Sequence, residues 1–475
     1  MSALHLAPGV GPLRALRRLR LVSSHLTRTT TALSALAPSL LTAAAVPRSS
    51  LPTRQFSTSS TSSSSSSAST DSFSFTTACA FRGKPGSPEY SPESATSSQD
   101  QPKRKTSSGL DQLQQGLARD HPLSQWRDAQ LERSPKGAGH DWFFIEGIPA
   151  HPSQGESLHP PSPDDNVRVG GINGVVLAVA DGVGGWEESG VDPSHFSQAL
   201  MWFARERVRQ GHLSESTIGS KALKALLEGA FEDVTNEDAI VAGSSTACLV
   251  ALDSSNGKLH AANLGDSSYM ILRPEPRAHL PTPPASPQLD APSTPTSTAP
   301  MYTVVHSEPS QTHFFNAPYQ LSKLPPSQRQ QQTNSLMDSP ADAAVTPREG
   351  IQLQVGDIVV LSTDGFGDNV FPEEMQQLVG LVYDKCLETQ QQGQTSSGGP
   401  VGTVMTIDDH LFASSLAQTS LNFARLVSFK RDKVTPFEVE ARRYGYGKGS
   451  GLGGGKVDDI TVVVAVVGKP SSPES

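Results

Sequence analysis

One apolar run that ends in an acid and a cluster of glycines constrains the fold of this chain most. The run comprises residues 175–180; Asp181 follows it directly, and Gly182, Gly184 and Gly185 come next. Six apolar residues, mostly β-branched or small, are typical of a strand buried on both faces. The strand holds the carboxylate rigidly, and the glycines let backbone groups approach a ligand closely. Taken alone, the pattern also fits a plain strand and turn in which the aspartate caps the turn.

Recurrence of this pattern favours a ligand site. Asp364 ends a second apolar run, Asp266 follows a third apolar segment, and Asp458 and Asp459 lead into a fourth. Carboxylates that are fixed at strand ends and brought together by the fold suit hard divalent cations such as Mg²⁺ or Mn²⁺, which prefer oxygen ligands. Because few of the other candidate ligands are Cys or His, a zinc site is disfavoured.

An ordered set of motifs resembles the metal-dependent Ser/Thr protein phosphatase family, type 2C. The resemblance covers about residues 134–467, and the segments 191–197 and 313–321 are closest to the small mitochondrial branch of that family. Each motif by itself is weak, but the ordered set is highly specific. The chain matches the family's Asp-Gly-x-Gly-Gly at 181–185 and its Gly-Asp-Ser at 265–267. For the family's Gly-Ser-Thr-Ala, Ser-Asp-Gly and Asp-Asn-x-Thr it has Gly-Ser-Ser-Thr-Ala (243–247), Ser-Thr-Asp-Gly (362–365) and Asp-Asp-Ile-Thr (458–461).

The resemblance implies an α+β fold, a β-sandwich of two antiparallel sheets flanked by helix pairs. The predicted elements agree with this fold class. A first strand is expected at 141–145, and Asp192 followed by Pro193 predicts the start of a helix. Ser254-Ser255-Asn256-Gly257 predicts a hairpin turn. Further helices are predicted over about 217–235, 372–388 and 408–428.

Composition divides the chain into segments. Residues 1–70 contain seven arginines and no acid, which predicts a mitochondrial transit peptide over 1–56, with a disordered basic tail as the alternative. Residues 57–133 are dominated by Ser, Thr, Pro and Gln and are predicted to be a disordered linker. The phosphatase-like domain is expected over 134–467, with low-complexity insertions near 274–300 and 323–347 and a tail over 468–475.

Charge and hydropathy exclude several classes of partner. Removing the seven arginines of the presequence lowers the formal net charge from −9 to −16, so the remaining chain is a poor partner for nucleic acid. Residues 33–46 are too short and too broken by polar residues to span a bilayer, which needs about 20 residues. No transmembrane segment is therefore predicted. Three cysteines do not suggest a disulfide framework.

The resemblance also implies a set of ligands for two Mn²⁺ or Mg²⁺ ions, or three. Asp181 would bridge two of them, the Gly182 carbonyl would bind one, and Asp364 and Asp458 would complete the other. Two hard cations lower the pKa of a shared water and supply hydroxide for in-line attack on phosphorus. The predicted catalytic residues are therefore Asp181, Asp364 and Asp458, with Asp266 and Asp141 as further acidic positions.

Two departures from the family pattern concern the acid and the phosphate ligand. Many family members have a histidine directly after Asp-Gly, where this chain has Val183. A metal-bound water or another side chain would then be the acid, and His140 and His195 are nearby in the sequence. Lys136 stands where the family has a phosphate-binding arginine. Lysine binds phosphate as a point charge, without the bidentate fork of arginine.

Two functional hypotheses follow. The first is a protein serine/threonine phosphatase that acts on phosphorylated proteins of the mitochondrial matrix. The second is a catalytically inactive relative that binds phosphoproteins without turnover, which Val183 and Lys136 would favour. The glycine-rich run at 445–455 is not a phosphate-binding loop, because Ser450 and Val457 occupy positions that require Gly and Ser/Thr.

Overall fold

The computed structural model describes residues 55–56, 72–87, 118, 120–132, 134, 136–149, 172–214, 217–275, 300–329, 337–395, 407–447 and 450–469. Within these ranges no helix is long and apolar enough to cross a membrane. The predicted transit peptide lies outside the described residues apart from Gln55 and Phe56.

Sheet 1 joins strands from the two ends of the chain. All its pairings are antiparallel, in the order β1-β2-β16-β15-β8-β9. The last strand, β16, is buried along its whole length, as its Val-rich sequence predicts. The strands are β1 (Gln55–Phe56), β2 (Ser74–Arg82), β8 (Ser268–Glu275), β9 (Met301–Ser307), β15 (Ile358–Ser362) and β16 (Ile460–Gly468).

Sheet 2 contains the strand that carries Asp181. Its order is β13-β7-β6-β4-β3, and β14 also pairs with β7. The predicted hairpin at 254–257 is confirmed, because it joins two antiparallel strands of this sheet. The strands are β3 (Asp141–Pro149), β4 (Ile172–Asp181), β6 (Ala247–Asp253), β7 (Lys258–Leu264), β13 (Ala344–Val345) and β14 (Ile351–Gln352). Two short ribbons pair β5 (Gly243–Ser245) with β12 (Leu321–Lys323) and β10 (Thr312–Phe314) with β11 (Ala317–Pro318).

Helices cover the outer faces of both sheets. The helices are α1 (Pro122–Leu131), α2 (Pro193–Arg209), α3 (Ser220–Asn236), α4 (Pro326–Arg329), α5 (Asp364–Gly367), α6 (Pro372–Thr395), α7 (Asp409–Ser428) and α8 (Pro436–Arg443). The Asp192 side chain accepts a hydrogen bond from the Ser194 amide, which confirms the predicted helix start. Helices α2 and α3 pack on sheet 2, and α6 and α7 pack on sheet 1. Since strands β15 and β16 also contact β4, the predicted sandwich flanked by helix pairs is confirmed.

The predicted disordered linker over 57–133 is wrong for two of its segments. Strand β2 pairs with β16 over nine residues, and α1 buries Leu123. The sequence Ser-Phe-Thr-Thr-Ala-Cys-Ala-Phe-Arg looked like low-complexity sequence because Thr and Ala dilute its apolar signal. The segment forms a strand because its backbone hydrogen-bonds to the otherwise unpaired edge of β16. Its side chains Phe75 and Phe81 are buried in the core. The domain therefore begins by Ser74, well before residue 134.

Other predicted boundaries need smaller corrections. Within the predicted insertion 323–347, Lys323 and Thr346 are buried and β13 belongs to sheet 2, so its described parts are not merely surface additions. Residues 276–299 of the other insertion lie outside the described residues. The predicted tail begins one residue early, because β16 extends to Gly468.

Candidate functional site

Asp141 and Asp181 lie side by side at one end of sheet 2. They are register partners in the β3–β4 pair, so both carboxylates leave the sheet at the same edge. Asp141 is fully buried; one of its oxygens accepts a hydrogen bond from the Thr363 hydroxyl at 2.7 Å, and the other has no hydrogen-bond partner. A buried oxygen without a partner is costly unless a ligand or cation satisfies it.

Hydrogen bonds from the amides of Asp181 and Gly182 fix the backbone at this point of the chain. The Asp181 amide donates to the Thr246 hydroxyl, and the Gly182 amide donates to the His140 carbonyl at 3.1 Å. A Cβ at Gly182 would come within 2.6 Å of the Pro193 carbonyl oxygen, so only glycine fits. The carboxylate is therefore held in position before any ligand arrives, which is what a binding site requires.

Asp364 begins helix α5, a single turn at the end of strand β15. The Thr363 amide donates to the Thr461 carbonyl, and the Thr461 amide donates back to the Thr363 hydroxyl. A Cβ at Gly365 would overlap the carbonyl oxygen of Asp459, so the turn packs directly on the segment that leads into β16. Asp368 follows four residues after Asp364, which places both carboxylates on the same side of the turn.

Asp458 and Asp459 have different roles. Asp459 is buried and ties three segments together, since its carboxylate accepts hydrogen bonds from the backbone amides of Lys84 and His140 at 2.7 and 2.9 Å. Asp458 has a partly exposed side chain that faces two lysines. The Asp459 carboxylate is thus occupied by backbone hydrogen bonds, whereas the Asp458 carboxylate faces lysine side chains.

Asp266 follows strand β7 and extends the acid cluster. One of its oxygens is buried without a hydrogen-bond partner. The turn before it is tight: Gly265 has a φ of +106°, and a Cβ there would come within 2.6 Å of the Thr246 side chain. Thr246 also exchanges a hydrogen bond with Ser267 at 2.7 Å, which links this turn to the one that carries Asp181.

Among the described residues, Lys456 and Lys84 face the acids, and the sequence analysis predicts neither as a site residue. Lys456 is paired with Asp364, with Asp368 at 3.0 Å and with Asp458 at 3.1 Å. Lys84 lies at the end of β2, with its ammonium 3.6 Å from both Asp458 and Asp459. Lys136 is exposed on the loop before β3. The loop that carries Lys136 lies beside Lys84, because the Gly83 amide donates a hydrogen bond to the Gly137 carbonyl at 3.0 Å.

The acids of the cluster shift one another's pKa values. Burial raises the pKa of Asp181 well above its usual range, and four neighbouring carboxylates raise it further. Burial likewise raises the pKa of Asp368 to about 6, with the charge of Asp364 adding to the effect and Lys456 opposing it. Burial opposes ionisation of Asp458 too, but the charges of Lys456 and Lys84 hold its pKa below the usual range. The four neighbours of Asp181 are Asp364, Asp141, Asp458 and Asp266.

These residues suit a hard divalent cation. The donors are carboxylate oxygens, two of them buried without a partner, and their mutual repulsion is what a bound cation would relieve. Among the described residues no three His, Cys, Asp or Glu side chains converge closely enough to hold an ion on their own. The ammonium of Lys456 lies between Asp364, Asp368 and Asp458 instead.

The two candidate histidines differ in their surroundings. The His140 ring is mostly buried, lies 2.8 Å from a carboxylate oxygen of Glu187, and borders Gly184 of the glycine loop. The His195 ring lies on α2, and its ion-pair partner is Asp192 at 3.9 Å. Of the two, His140 is the one that the fold places beside the loop of Asp181.

Three residues of the site escaped prediction for different reasons. Asp368 had a detectable signal, because it stands one helical turn after Asp364. Lys456 stands two residues before Asp458, but spacing alone does not show that its side chain turns back onto the acids. Lys84 lies in a segment whose composition indicates a linker, so only the pairing of β2 with β16 reveals its place.

Comparison with known proteins gives consistent matches. The model of a family described as protein phosphatase 2C matches residues 162–394. The chain is 33% identical over 294 residues to the protein phosphatase PTC7 homolog of Danio rerio, a match that covers 62% of this chain and 76% of the relative. The Homo sapiens PTC7 homolog is 31% identical over 297 residues, with 62% and 75% covered. Among solved structures, the photosystem II phosphatase PBCP is similar at 24% identity, covering 72% of this chain and 94% of that chain, with a TM-score of 0.43.

Proposed function

The chain belongs to the protein phosphatase 2C family, and we propose that this protein-serine/threonine phosphatase hydrolyses phosphoserine and phosphothreonine in mitochondrial proteins at a centre of two Mn²⁺ or Mg²⁺ ions. The observation that carries the proposal is the meeting of acids from five separate segments. Asp141 and Asp181 are register partners, and Lys456 pairs with both Asp364 and Asp458. These acids and Asp266 all raise the pKa of Asp181, although they are far apart in the sequence.

Each acid has a distinct place in the proposed centre. Asp181 would bridge the ions and the Gly182 carbonyl would bind one of them, while Asp364 and Asp458 would hold the other. Asp141 and Asp266 each offer a buried oxygen without a partner. Bound ions would supply Lewis acidity and a hydroxide nucleophile at neutral pH. The protein holds the carboxylates rigid through strand ends and backbone hydrogen bonds, so little reorganisation is needed on binding.

Lys136 remains the phosphate ligand that the resemblance implies, and we propose Lys84 as a second one. Burial lowers the pKa of Lys84, but the charges of Asp459, Asp458 and Asp181 outweigh this and raise it overall, so it carries a positive charge. Its side chain is about one-third exposed, which leaves the ammonium open to an incoming phosphate. Lysine would orient the phosphoryl group as a point charge, with less geometric selection than a bidentate arginine.

Two features support a mitochondrial setting. The arginine-rich, acid-free start of the chain has the composition of a transit peptide, and the resemblance is closest to the mitochondrial branch of the family. Deleting residues 1–56 from a fluorescently tagged chain should abolish import. Matrix localisation of the deleted chain would contradict this part of the proposal.

A single assay tests the enzymatic proposal. The purified chain is incubated with p-nitrophenyl phosphate and with a phosphothreonine peptide, in the presence of Mn²⁺ and again with chelator in excess. Hydrolysis of both substrates that disappears with chelator is expected. If neither substrate is hydrolysed while a phosphopeptide still binds, the chain is instead the inactive phosphoprotein-binding relative.

A further inference from the structure

Lys456 places its ammonium group inside the acid cluster rather than at its edge. It is paired with carboxylates of Asp364, Asp368 and Asp458, and its side chain is only 15% exposed. An ammonium group has three hydrogen-bond donors and no acceptor, so three carboxylates satisfy it completely. The Phe437 ring lies 5.7 Å from the same nitrogen and covers another side.

The backbone of Lys456 is fixed on the turn that carries two of these acids. The side-chain oxygen of Asn369 accepts a hydrogen bond from the Lys456 amide at 3.0 Å, and its amide group donates to the Lys456 carbonyl at 2.8 Å. Asn369 is fully buried and also donates to the Gly365 carbonyl. This arrangement holds the start of the lysine side chain beside Asp364 and Asp368, whether or not any ion is bound.

The segment before Lys456 is equally constrained. A Cβ at Gly454 or Gly455 would overlap the backbone of residues 427–431, and the Gly455 amide donates to the Lys430 carbonyl at 2.8 Å. The Thr435 hydroxyl donates to the Gly454 carbonyl. The end of the glycine-rich run is therefore packed against the end of α7 and is not a free loop. Large displacement of the Lys456 backbone would require this packing to break.

A divalent ion and this ammonium cannot share one position. Mg²⁺ requires oxygens at about 2.0–2.1 Å in an octahedral arrangement, whereas Lys456 holds two of its carboxylates at 3.0 and 3.1 Å. The Asp368 carboxylate pairs with the Lys456 ammonium at 3.0 Å, and the negative charge of Asp266 also helps to raise the pKa of Lys456. The arrangement resembles a cation position that is filled by a tethered monovalent cation.

We propose that Lys456 is a built-in cation of the metal centre, which takes one cation position in the acid cluster so that the chain binds two divalent ions where its carboxylates alone would hold three. The proposal rests on the metal centre proposed above. It assigns to Asp368 the role of holding a lysine rather than an ion. It also means that one of the positive charges near the substrate is present before any metal binds.

The test is the number of Mn²⁺ ions bound per chain, measured by equilibrium dialysis of the full-length protein against increasing free Mn²⁺. The wild-type chain should saturate at two, and Lys456→Met at three. Lys456→Gln, which keeps a hydrogen-bond donor, is measured in parallel in case methionine is not tolerated, and three ions are expected again. Lys456→Arg keeps the charge and should bind two.

Lys433 provides a matched control. It has a similar exposed fraction of 17%, an ion pair with Glu374 at 2.7 Å and an aromatic ring, Phe423, 5.6 Å from its ammonium. Lys433→Met should lower the thermal stability and leave the Mn²⁺ count at two. A change in count for both lysines would show a general effect of charge and would overturn the assignment to Lys456.

Thermal unfolding with and without Mn²⁺ tests whether Lys456 stays among the acids when metal binds or is displaced by it. Without metal, Lys456→Met should unfold at a lower temperature than the wild-type chain because the acids lose their counterion, and Mn²⁺ should raise its unfolding temperature by more than it raises that of the wild type. An unchanged count of two in Lys456→Met and Lys456→Gln would show that metal displaces the lysine and would overturn the inference alone. Absence of Mn²⁺ binding by the wild-type chain would overturn the proposed metal centre as well.

Discussion

Removing residues 1–110 should destroy the fold, whereas removing residues 1–71 should not. The longer deletion eliminates strand β2, which pairs with β16 over nine residues and lines the core with Phe75 and Phe81. The shorter deletion eliminates only β1 from the described part of sheet 1. The two truncations therefore differ by one strand of the sandwich and the segment that follows it.

The magnitude can be worked from the buried side chains. Burial of one phenylalanine stabilises a fold by about 1.5–3 kcal/mol, so Phe75 and Phe81 together contribute about 3–6 kcal/mol. Whole domains are stable by only about 5–15 kcal/mol. Loss of β2 also exposes the hydrophobic edge of β16, where unpaired backbone groups promote aggregation. The chain 111–475 should thus be insoluble or lack cooperative unfolding.

The assay compares chains 72–475 and 111–475 by soluble yield and by thermal unfolding followed with near-ultraviolet circular dichroism. A point variant supports the same argument without truncation: Phe81 lies 4.9 Å from the Phe143 ring, and Phe81→Ala should cost about 3–5 kcal/mol. Cooperative unfolding of 111–475 with a free energy within about 1 kcal/mol of that of 72–475 would refute the reasoning.

Three further predictions concern the acid cluster and its neighbours. Asp364→Asn should lower kcat by more than the roughly 10–100-fold typical of losing a residue that supports a ligand. It should leave the metal-free domain no less stable, because burial and the charge of Asp458 raise the pKa of this carboxyl even though Lys456 opposes them. Lys84→Met and Lys136→Met should each lower kcat/KM for a phosphopeptide by about 10–100-fold, the loss expected for a hydrogen bond to a charged group. His140→Ala should slow a phosphothreonine peptide more than p-nitrophenyl phosphate, whose leaving group needs little protonation, and His195→Ala should slow neither selectively.

Each of these predictions has a result that contradicts it. Near wild-type turnover of Asp364→Asn at limiting Mn²⁺ would remove that residue from the centre. An unchanged kcat/KM in either lysine variant would remove that lysine from the phosphate site. Equal effects of His140→Ala on both substrates would show that His140 does not replace the acid histidine that many family members have at the position of Val183.

The sequence by itself determined the elements whose signals are local. The Asp-Gly motifs at strand ends, the Asp192-Pro193 helix start and the hairpin at 254–257 all depend on residues within one or two turns of each other. The ordered acids also identified Asp141, Asp181, Asp266, Asp364 and Asp458 as one group. Such patterns are readable because backbone preference and burial act on each segment separately.

Only the tertiary structure decided which distant segments complete the domain. Strands β2 and β16 lie near opposite ends of the chain, and nothing in either segment's sequence indicates that the two pair. The composition around β2 indicates a linker, and the free energy that orders it comes from the hydrogen bonds and the core that β16 provides.

The positive charges of the site were decided in the same way. The sequence shows where Lys84 and Lys456 stand in the chain, but not where their side chains point. A lysine side chain has four flexible bonds, so its ammonium group moves towards whichever negative charges the fold places nearby. The fold creates that field by bringing buried acids together, and it fixes the lysine backbones through Asp459 and Asn369. Acids at strand ends are therefore predictable from local pattern, whereas their counterions depend on how the sheets and turns assemble.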